Sequence, residues 1–238
     1  AGLGSVSRTA TKGTAVSEAG LNAARQKMID AGVAAPAIEV FSRFYELLES
    51  GATGVIREDT IEPLLDPPML ADVDITEAEA REAIGKTVII KLNGGLGTSM
   101  GLDQAKTLLE VRDGLNFLDL ITQQVLAARE RYHARLPLLL MHSFRTADDT
   151  LAHLGRYPEL PVARLPLSFM QNQEPKLRAD DLTPVEWPAD PELEWCPPGH
   201  GDLYPVLWGT GLLEDLIAAG YRYATVANGD NLGATPDA

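Results

Sequence analysis

Apolar positions in the first third of the chain recur at helical spacing. Residues 18–31 read as one helix stopped by Gly32, and a second carries Pro36 in its first turn and Ile38, Phe41, Phe44, Tyr45 and Leu48 along one face before Gly51. The stretch Glu62-Pro-Leu-Leu-Asp-Pro-Pro68 breaks that rhythm, and Thr76 with Glu79 forms a capping box for a short helix ending at Ile84. From Lys86 onward the pattern changes. Short apolar runs at 87–92, 136–142, 162–171 and 223–228 read as strands, and they alternate with helical stretches at 117–132, 147–157 and 211–219. Asn116 with Asp119 and Thr146 with Asp149 supply caps for the first two of these helices, and Gly220 stops the third. Alternation of this kind predicts an α/β fold, a mostly parallel sheet with helices on both faces, preceded by a helical N-terminal extension. In open sheets of that type ligands bind beyond the carboxyl ends of the strands.

The first strand runs into a glycine-rich loop, Lys91-Leu-Asn-Gly-Gly-Leu-Gly-Thr-Ser-Met-Gly101, and Lys106 follows it. Gly94, Gly95, Gly97 and Gly101 free the backbone to adopt positive φ and let its N–H groups approach phosphate oxygens, while Lys106 adds the charge that neutral amides lack. The loop is not a Walker A motif, since no Gly-Lys-Ser/Thr closes it. As a dinucleotide fingerprint it is a near miss, Gly95-x-Gly97-x-x-x-Gly101, and the strand at 136–142 ends in His rather than in the ribose-binding acid of an oxidoreductase. By itself the loop also fits an ordinary turn.

Composition narrows the classes. A chain of 238 residues, 45% hydrophobic, buries a sizeable core. Its formal net charge of −14 argues against a nucleic-acid partner, whose footprint is a basic surface, and suits a protein that binds anions at a locally basic site. The single cysteine, Cys196, excludes an intramolecular disulfide and a cysteine-rich zinc site. No apolar run reaches the ~20 residues of a membrane helix, and the first sixteen residues lack the core of a secretory signal, so the expected setting is cytoplasmic with no membrane partner. Residues 1–16, rich in Gly, Ser, Thr and Ala, read as a flexible arm, 17–85 as the helical extension and 86–238 as the α/β domain. Trp187, Trp195, Trp208 and Cys196 are assigned to packing, and the acids between 58 and 82 to a solvated face.

Three further segments stand in order behind the loop: Leu140-Met-His-Ser-Phe-Arg-Thr-Ala-Asp-Asp-Thr150, Trp195-Cys-Pro-Pro-Gly-His-Gly-Asp202 and Asn228-Gly-Asp-Asn-Leu-Gly-Ala-Thr235. Together with the loop they resemble the signature of eukaryotic-type UTP–glucose-1-phosphate uridylyltransferases, the UDP-glucose pyrophosphorylases, over about residue 84 to the chain end. His142 stands where that family often has Asn. The resemblance implies a Rossmann-like, GT-A-like nucleotidyltransferase that forms UDP-glucose and pyrophosphate from UTP and glucose 1-phosphate with Mg²⁺. Attack on the UTP α-phosphorus would be direct and in line, with no protein nucleophile. Carried over residue by residue, it implies that Leu92, Asn93, Gly94 and Gly95 hold the uridine and phosphates through backbone N–H groups and that Lys106 neutralises the triphosphate as the catalytic residue. Gln171 would contact the uracil, with Gln173 a near rival, and Gly199 would contact the nucleotide. His200 and Asn228 would bind the sugar phosphate, and Asp230 the metal. Met141 and Ser143 are further cleft candidates.

The family's members are longer, and the resemblance implies further strands, a second phosphate-binding lysine and a C-terminal β-helix domain without counterpart before Ala238. The chain is therefore expected to be the N-terminal part of the catalytic domain, with weak or no turnover alone and an open sheet edge that favours association into a homo-oligomer. A pyrophosphorylase for another sugar, such as UDP-N-acetylglucosamine, is the nearest rival. Those enzymes usually place Arg where Ser99 stands, so Asn93 with Thr98, Ser99 and Met100 favours the glucose branch. A nucleotide-binding protein without catalysis is the rival from another class, and Lys106 and Asp230 together count against it.

Overall fold

The computed structural model describes residues 17–96 and 104–235. The expected arm at 1–16 and loop residues Gly97, Ser99 and Gly101 lie outside the described residues. The chain divides into two compact units. One holds the described residues up to Thr60 with Glu174–Cys196; the other holds Ile61–Gln173 with the chain from Pro197 onward. Neither unit ends at residue 85, where the sequence pattern placed a boundary: the short helix at 77–85 groups with the sheet, and 174–196 groups with the first two helices.

In the first unit α1 (Ser17–Asp30) and α2 (Ala35–Glu49) enclose a small core of Ala24, Met28, Ile38, Phe41 and Tyr45. Phe44 and Leu48, expected on the buried stripe, are exposed, because only the narrower face through Ile38, Phe41 and Tyr45 meets α1 and residues 174–196. The capping box of α3 (Glu77–Gly85) in the second unit forms as expected, with the Thr76 hydroxyl accepting from the Glu79 N–H.

The second unit is built on a four-stranded parallel sheet. Its strands are β1 (Thr87–Asn93), β4 (Leu138–His142), β5 (Ser168–Met170) and β8 (Tyr223–Asn228), in the order β5-β4-β1-β8. Two small pairs stand outside it, β2 (Glu110–Arg112) with β3 (Leu115–Asn116), and, in the first unit, β6 (Glu174–Pro175) with β7 (Trp195–Cys196). Side chains alternate between faces along each strand. Ile89, Leu138 and Leu140 pack under α4 (Phe117–Tyr132) with Leu118, Ile121 and Val125, and Leu154 of α5 (Ala147–Leu154) joins that layer. Val88, Ile90, Leu139, Met141 and Phe169 pack on the opposite face against Leu203, Val206 and Leu207 of α6 (Leu203–Gly209) and Leu212 and Leu216 of α7 (Leu212–Ala218). The sheet is thus covered on both faces at its centre, and β8, at its rim, is exposed along most of its length.

Several local expectations change. The run 162–171 yields only the three residues of β5, because Pro166 lacks the N–H a ladder needs and the chain turns at Val162–Leu165 instead. Thr146 does not cap α5 with its side chain; its backbone is already helical, and its Oγ1 accepts from the Ser143 N–H at 3.1 Å. Trp187 and Trp208 are exposed, so of the three tryptophans only Trp195 packs against a core. No described helix is long and apolar enough to cross a membrane.

Lys91 is an exception to the apolar rule. Only 2% exposed, it extends from β1 to donate to the carbonyls of Asn231 and Ala234, at 3.2 and 2.9 Å. Burial pushes its ammonium below the usual lysine range. The bonds fasten the segment that follows β8 beneath the sheet's carboxyl edge.

The capping box at α4 is buried and reciprocal: Asp119 N–H donates to Asn116 Oδ1 at 2.9 Å, and Asn116 N–H donates to Asp119 Oδ2 at 3.1 Å. Asn116→Ala is therefore expected to cost about 1–2 kcal/mol of stability in denaturant unfolding, the range of a lost N-cap, with the slope of the transition unchanged.

Candidate active site

Parallel register brings the strand ends level. Asn93 lies opposite His142, and His142 opposite Met170; one position back, Leu92 lies between Met141 and Asn228. A cavity of about 340 Å³ opens at this carboxyl edge. All ten residues singled out from the sequence line it: Leu92, Asn93, Gly94, Gly95, Lys106, Gln171, Gly199, His200, Asn228 and Asp230. Met141, Thr107, Pro197 and Gly229 complete the wall. Gln173 and Ser143 are not among the lining residues, and the Ser143 side chain is occupied with Thr146. Residues more than 130 positions apart in the chain thus share one wall, as the order of strands requires.

The glycines work through space rather than through torsion. Neither Gly94 nor Gly95 has a positive φ. A Cβ at Gly94 would sit 2.8 Å from Gln171 Oε1 and 3.0 Å from its Nε2, so the glycine lets that amide lie flat on the loop. Gly229 is tighter: a Cβ there would fall 2.6 Å from Thr107 Cγ2 and 3.2 Å from the Leu92 carbonyl, which already accepts from the Gly229 N–H at 2.9 Å. Only Gly199 uses backbone freedom, with φ 103° and ψ −175°, a conformation nearly closed to other residues.

Two segments of the wall are tied together by a buried carboxylate. Asp202 accepts from the Asn172 N–H at 2.6 Å and from Asn172 Nδ2 at 2.8 Å. Burial raises its pKa, and the bonds to Asn172 work in the other direction. Gln171 and the turn at Gly199-His200 are held in one place by this clamp.

Beneath the floor lies a polar network. Asn93 Nδ2 faces Thr150 Oγ1 at 3.0 Å and His142 Nδ1 at 3.2 Å, while Thr107 Oγ1 donates to Asn93 Oδ1 at 2.6 Å. Thr150 gives its own proton to the Thr146 carbonyl at 2.6 Å, so toward Asn93 it only accepts. That fixes the amide: nitrogen toward Thr150 and His142, oxygen toward Thr107. His142 Nδ1 is then an acceptor and the ring is neutral. Burial agrees, lowering the His142 pKa to about 4. The Asn93 side chain is therefore an internal strut, and any contact it makes with a ligand is through its backbone.

Charge in the cavity comes from few groups. Lys106 is half-buried, and Asp230 and His200 are exposed. Among the described lining residues Asp230 is the sole carboxylate. No cluster of three metal-ligating side chains occurs among the described residues. One exposed carboxylate beside a lysine suits a hard cation that takes the rest of its oxygens from phosphate and water, which is the chemistry of Mg²⁺.

Thr107, Pro197 and Gly229 are the lining residues that motif reading passed over. Thr107 and Gly229 are adjacent in sequence to residues it did find, Lys106 and Asp230, and adjacency was the available signal.

A parallel α/β sheet with helices on both faces and a cavity at its carboxyl edge, lined among the described residues by a glycine pair, a lysine and one carboxylate, is the arrangement of a nucleotidyltransferase fold. The family model of UTP–glucose-1-phosphate uridylyltransferase matches residues 38–238, and the chain belongs to that family. It is 42% identical over 183 residues to the UTP–glucose-1-phosphate uridylyltransferase of Solanum tuberosum, covering 76% of this chain and 38% of that one. It is 39% identical over 200 residues to that of Saccharomyces cerevisiae, covering 83% and 39%. Among solved structures, a Leishmania major UDP-glucose pyrophosphorylase in complex with UDP-glucose superposes with a TM-score of 0.85 at 44% identity, covering 92% of this chain and 45% of that one. The chain spans less than half the length of these relatives.

Burial of neutral His142 sets a pH dependence. The unfolded ring binds a proton near its ordinary 6.5 and the folded ring only near 4, so stability is full above pH 6.5 and declines as pH falls toward 4, by about 3 kcal/mol at the most. His142→Asn is expected to flatten this part of the pH–stability curve, read by thermal unfolding at matched pH values. Gly94→Ala is expected to displace the Gln171 amide with little change in thermal stability, read by the shift of the Gln171 side-chain amide resonances in NMR beside a thermal unfolding curve.

Proposed function

We propose that this chain carries the nucleotide-binding and reacting face of an enzyme that forms UDP-glucose and pyrophosphate from UTP and glucose 1-phosphate. The observation that carries the reading is the meeting of Lys106 and Asp230 in one cavity at the carboxyl edge of the sheet, beside the Gln171 amide. A phosphate oxygen of glucose 1-phosphate attacks the α-phosphorus of UTP, the bond to the β-phosphate oxygen breaks, and pyrophosphate leaves. The nucleophile is already competent, so the protein's task is alignment and charge neutralisation.

The residues divide that task. Backbone groups of Leu92, Asn93, Gly94 and Gly95 follow the nucleotide, and Gln171 reads the uracil edge through an amide that offers both a donor and an acceptor. Lys106 places positive charge at the triphosphate. Gly199 keeps the Pro-Pro-Gly-His turn close to the nucleotide, while His200 and Asn228 hold the sugar phosphate. Asp230 would hold Mg²⁺, which when bound withdraws charge from the phosphoryl oxygens. The sheet-bearing residues from 86 onward form the catalytic domain on this reading. A cytoplasmic location belongs to the same proposal and rests on the family and on the single cysteine.

Calorimetric titration of the chain with UTP, with and without Mg²⁺ and against ATP, tests the nucleotide half of the reading: saturable binding of UTP and not of ATP is expected, and equal affinity for both would overturn the role of Gln171. In the full-length protein carrying this chain, Lys106→Ala is expected to lower kcat by at least ~10²-fold while the thermal transition stays in place, the size of losing one electrostatic stabiliser. Turnover close to wild type would refute the role of Lys106.

A further inference from the structure

Lys106 has a long, flexible side chain whose ammonium makes no hydrogen bond or ion pair among the described residues. Where its charge stands therefore depends on where its backbone is held. Two bonds hold it. The Lys106 N–H donates to the Gly95 carbonyl at 3.1 Å, beside the pairing of Leu96 with Ala105, and the next residue, Thr107, donates its hydroxyl to Asn93 Oδ1 at 2.6 Å. The first bond ties the lysine to the glycine loop, which is peripheral. The second ties it to the end of a central strand.

We propose that Thr107 is a positioning residue that sets the place of Lys106 by donating its hydroxyl to the buried amide of Asn93. The inference rests on the reading of Lys106 as the phosphate-neutralising cation. Thr107 is itself buried, and its partner cannot turn away: Thr150, whose proton goes to the Thr146 carbonyl, requires the nitrogen end of the Asn93 amide, and the oxygen is left facing Thr107. The methyl group of Thr107 is fixed as well, filling the space over Gly229, one residue before Asp230. One small side chain thus locates the turn Lys106–Leu108 against both the strand end and the Asp230 turn. Removing only the hydroxyl leaves Asn93 Oδ1 buried without a donor, and the turn shifts to relieve it. A displacement of even an ångström in a catalytic group is enough to be felt in turnover.

The test is a double-mutant cycle in the full-length protein. Thr107→Val, which keeps the shape and loses the hydroxyl, is expected to lower kcat about tenfold with less than about a threefold change in KM for UTP, and Thr107→Ser, which keeps the hydroxyl, to recover most of the loss. In the Lys106→Ala background the valine substitution is expected to cost nothing further. Should the valine variant fail to fold, Thr107→Ala, which also removes the methyl, carries the same comparison. Wild-type kcat in Thr107→Val, or the same tenfold loss repeated in the Lys106→Ala background, would overturn the inference while leaving Lys106 its role. Normal turnover in Lys106→Ala alone would instead remove the reading on which the inference stands.

Discussion

The side-chain amide of Asn93 is the junction on which the site depends. It lies at the carboxyl end of the central strand, with His142 of the neighbouring strand and Thr150 of α5 on one side of it and Thr107 on the other. An amide has one donor end and one acceptor end, so it imposes direction on all its neighbours. Thr107 must give a proton, His142 must lack one at Nδ1, and Thr150 must spend its own elsewhere. The amide holds one orientation, since turning it over would face its oxygen to Thr150 Oγ1, whose proton is already given to the Thr146 carbonyl; the far nitrogen of His142, Nε2, lies buried without a hydrogen-bond partner among the described residues.

Around that junction the site is assembled by two other constraints of a different kind. Register in the parallel sheet sets strand ends level, which brings loops of very different sequence position to one edge. The Asp202 carboxylate then joins the Gln171 segment to the Gly199 turn, two pieces that the sheet alone would leave independent. Neither constraint uses the groups that would touch a substrate. Lys106, His200 and Asp230 are left open to the cavity, while Asn93, Thr107 and Asp202 spend their side chains on internal hydrogen bonds.

Much of this was legible in the sequence. The alternation of β and α after Lys86 gave the sheet and its two helical layers, and the spacing of Asn116 and Asp119 gave a cap that forms in full. The ten motif residues converge because each ends a strand, follows one or lies on the connection to one. What remained hidden was tertiary in origin. The run 162–171 is apolar enough for a long strand, but Pro166 cuts its ladder, and α6 was not foreseen in a stretch with Pro205 near its start. Phe44 and Leu48 satisfy helical periodicity and still face out, since periodicity cannot say how wide a face the neighbour covers. Asn93 was read for its backbone, and its side chain proved to be the strut, because partners 14, 49 and 57 positions away leave no local signal.

Gly229 carries a consequence for how this site can change. The space that a side chain would need at position 229 is the space that the methyl group of Thr107 fills. The two positions therefore share a single fixed volume, and neither can vary alone: growth at 229 is admissible only together with a smaller residue at 107. Substitutions that look independent along the chain, 122 residues apart, are one exchange in three dimensions.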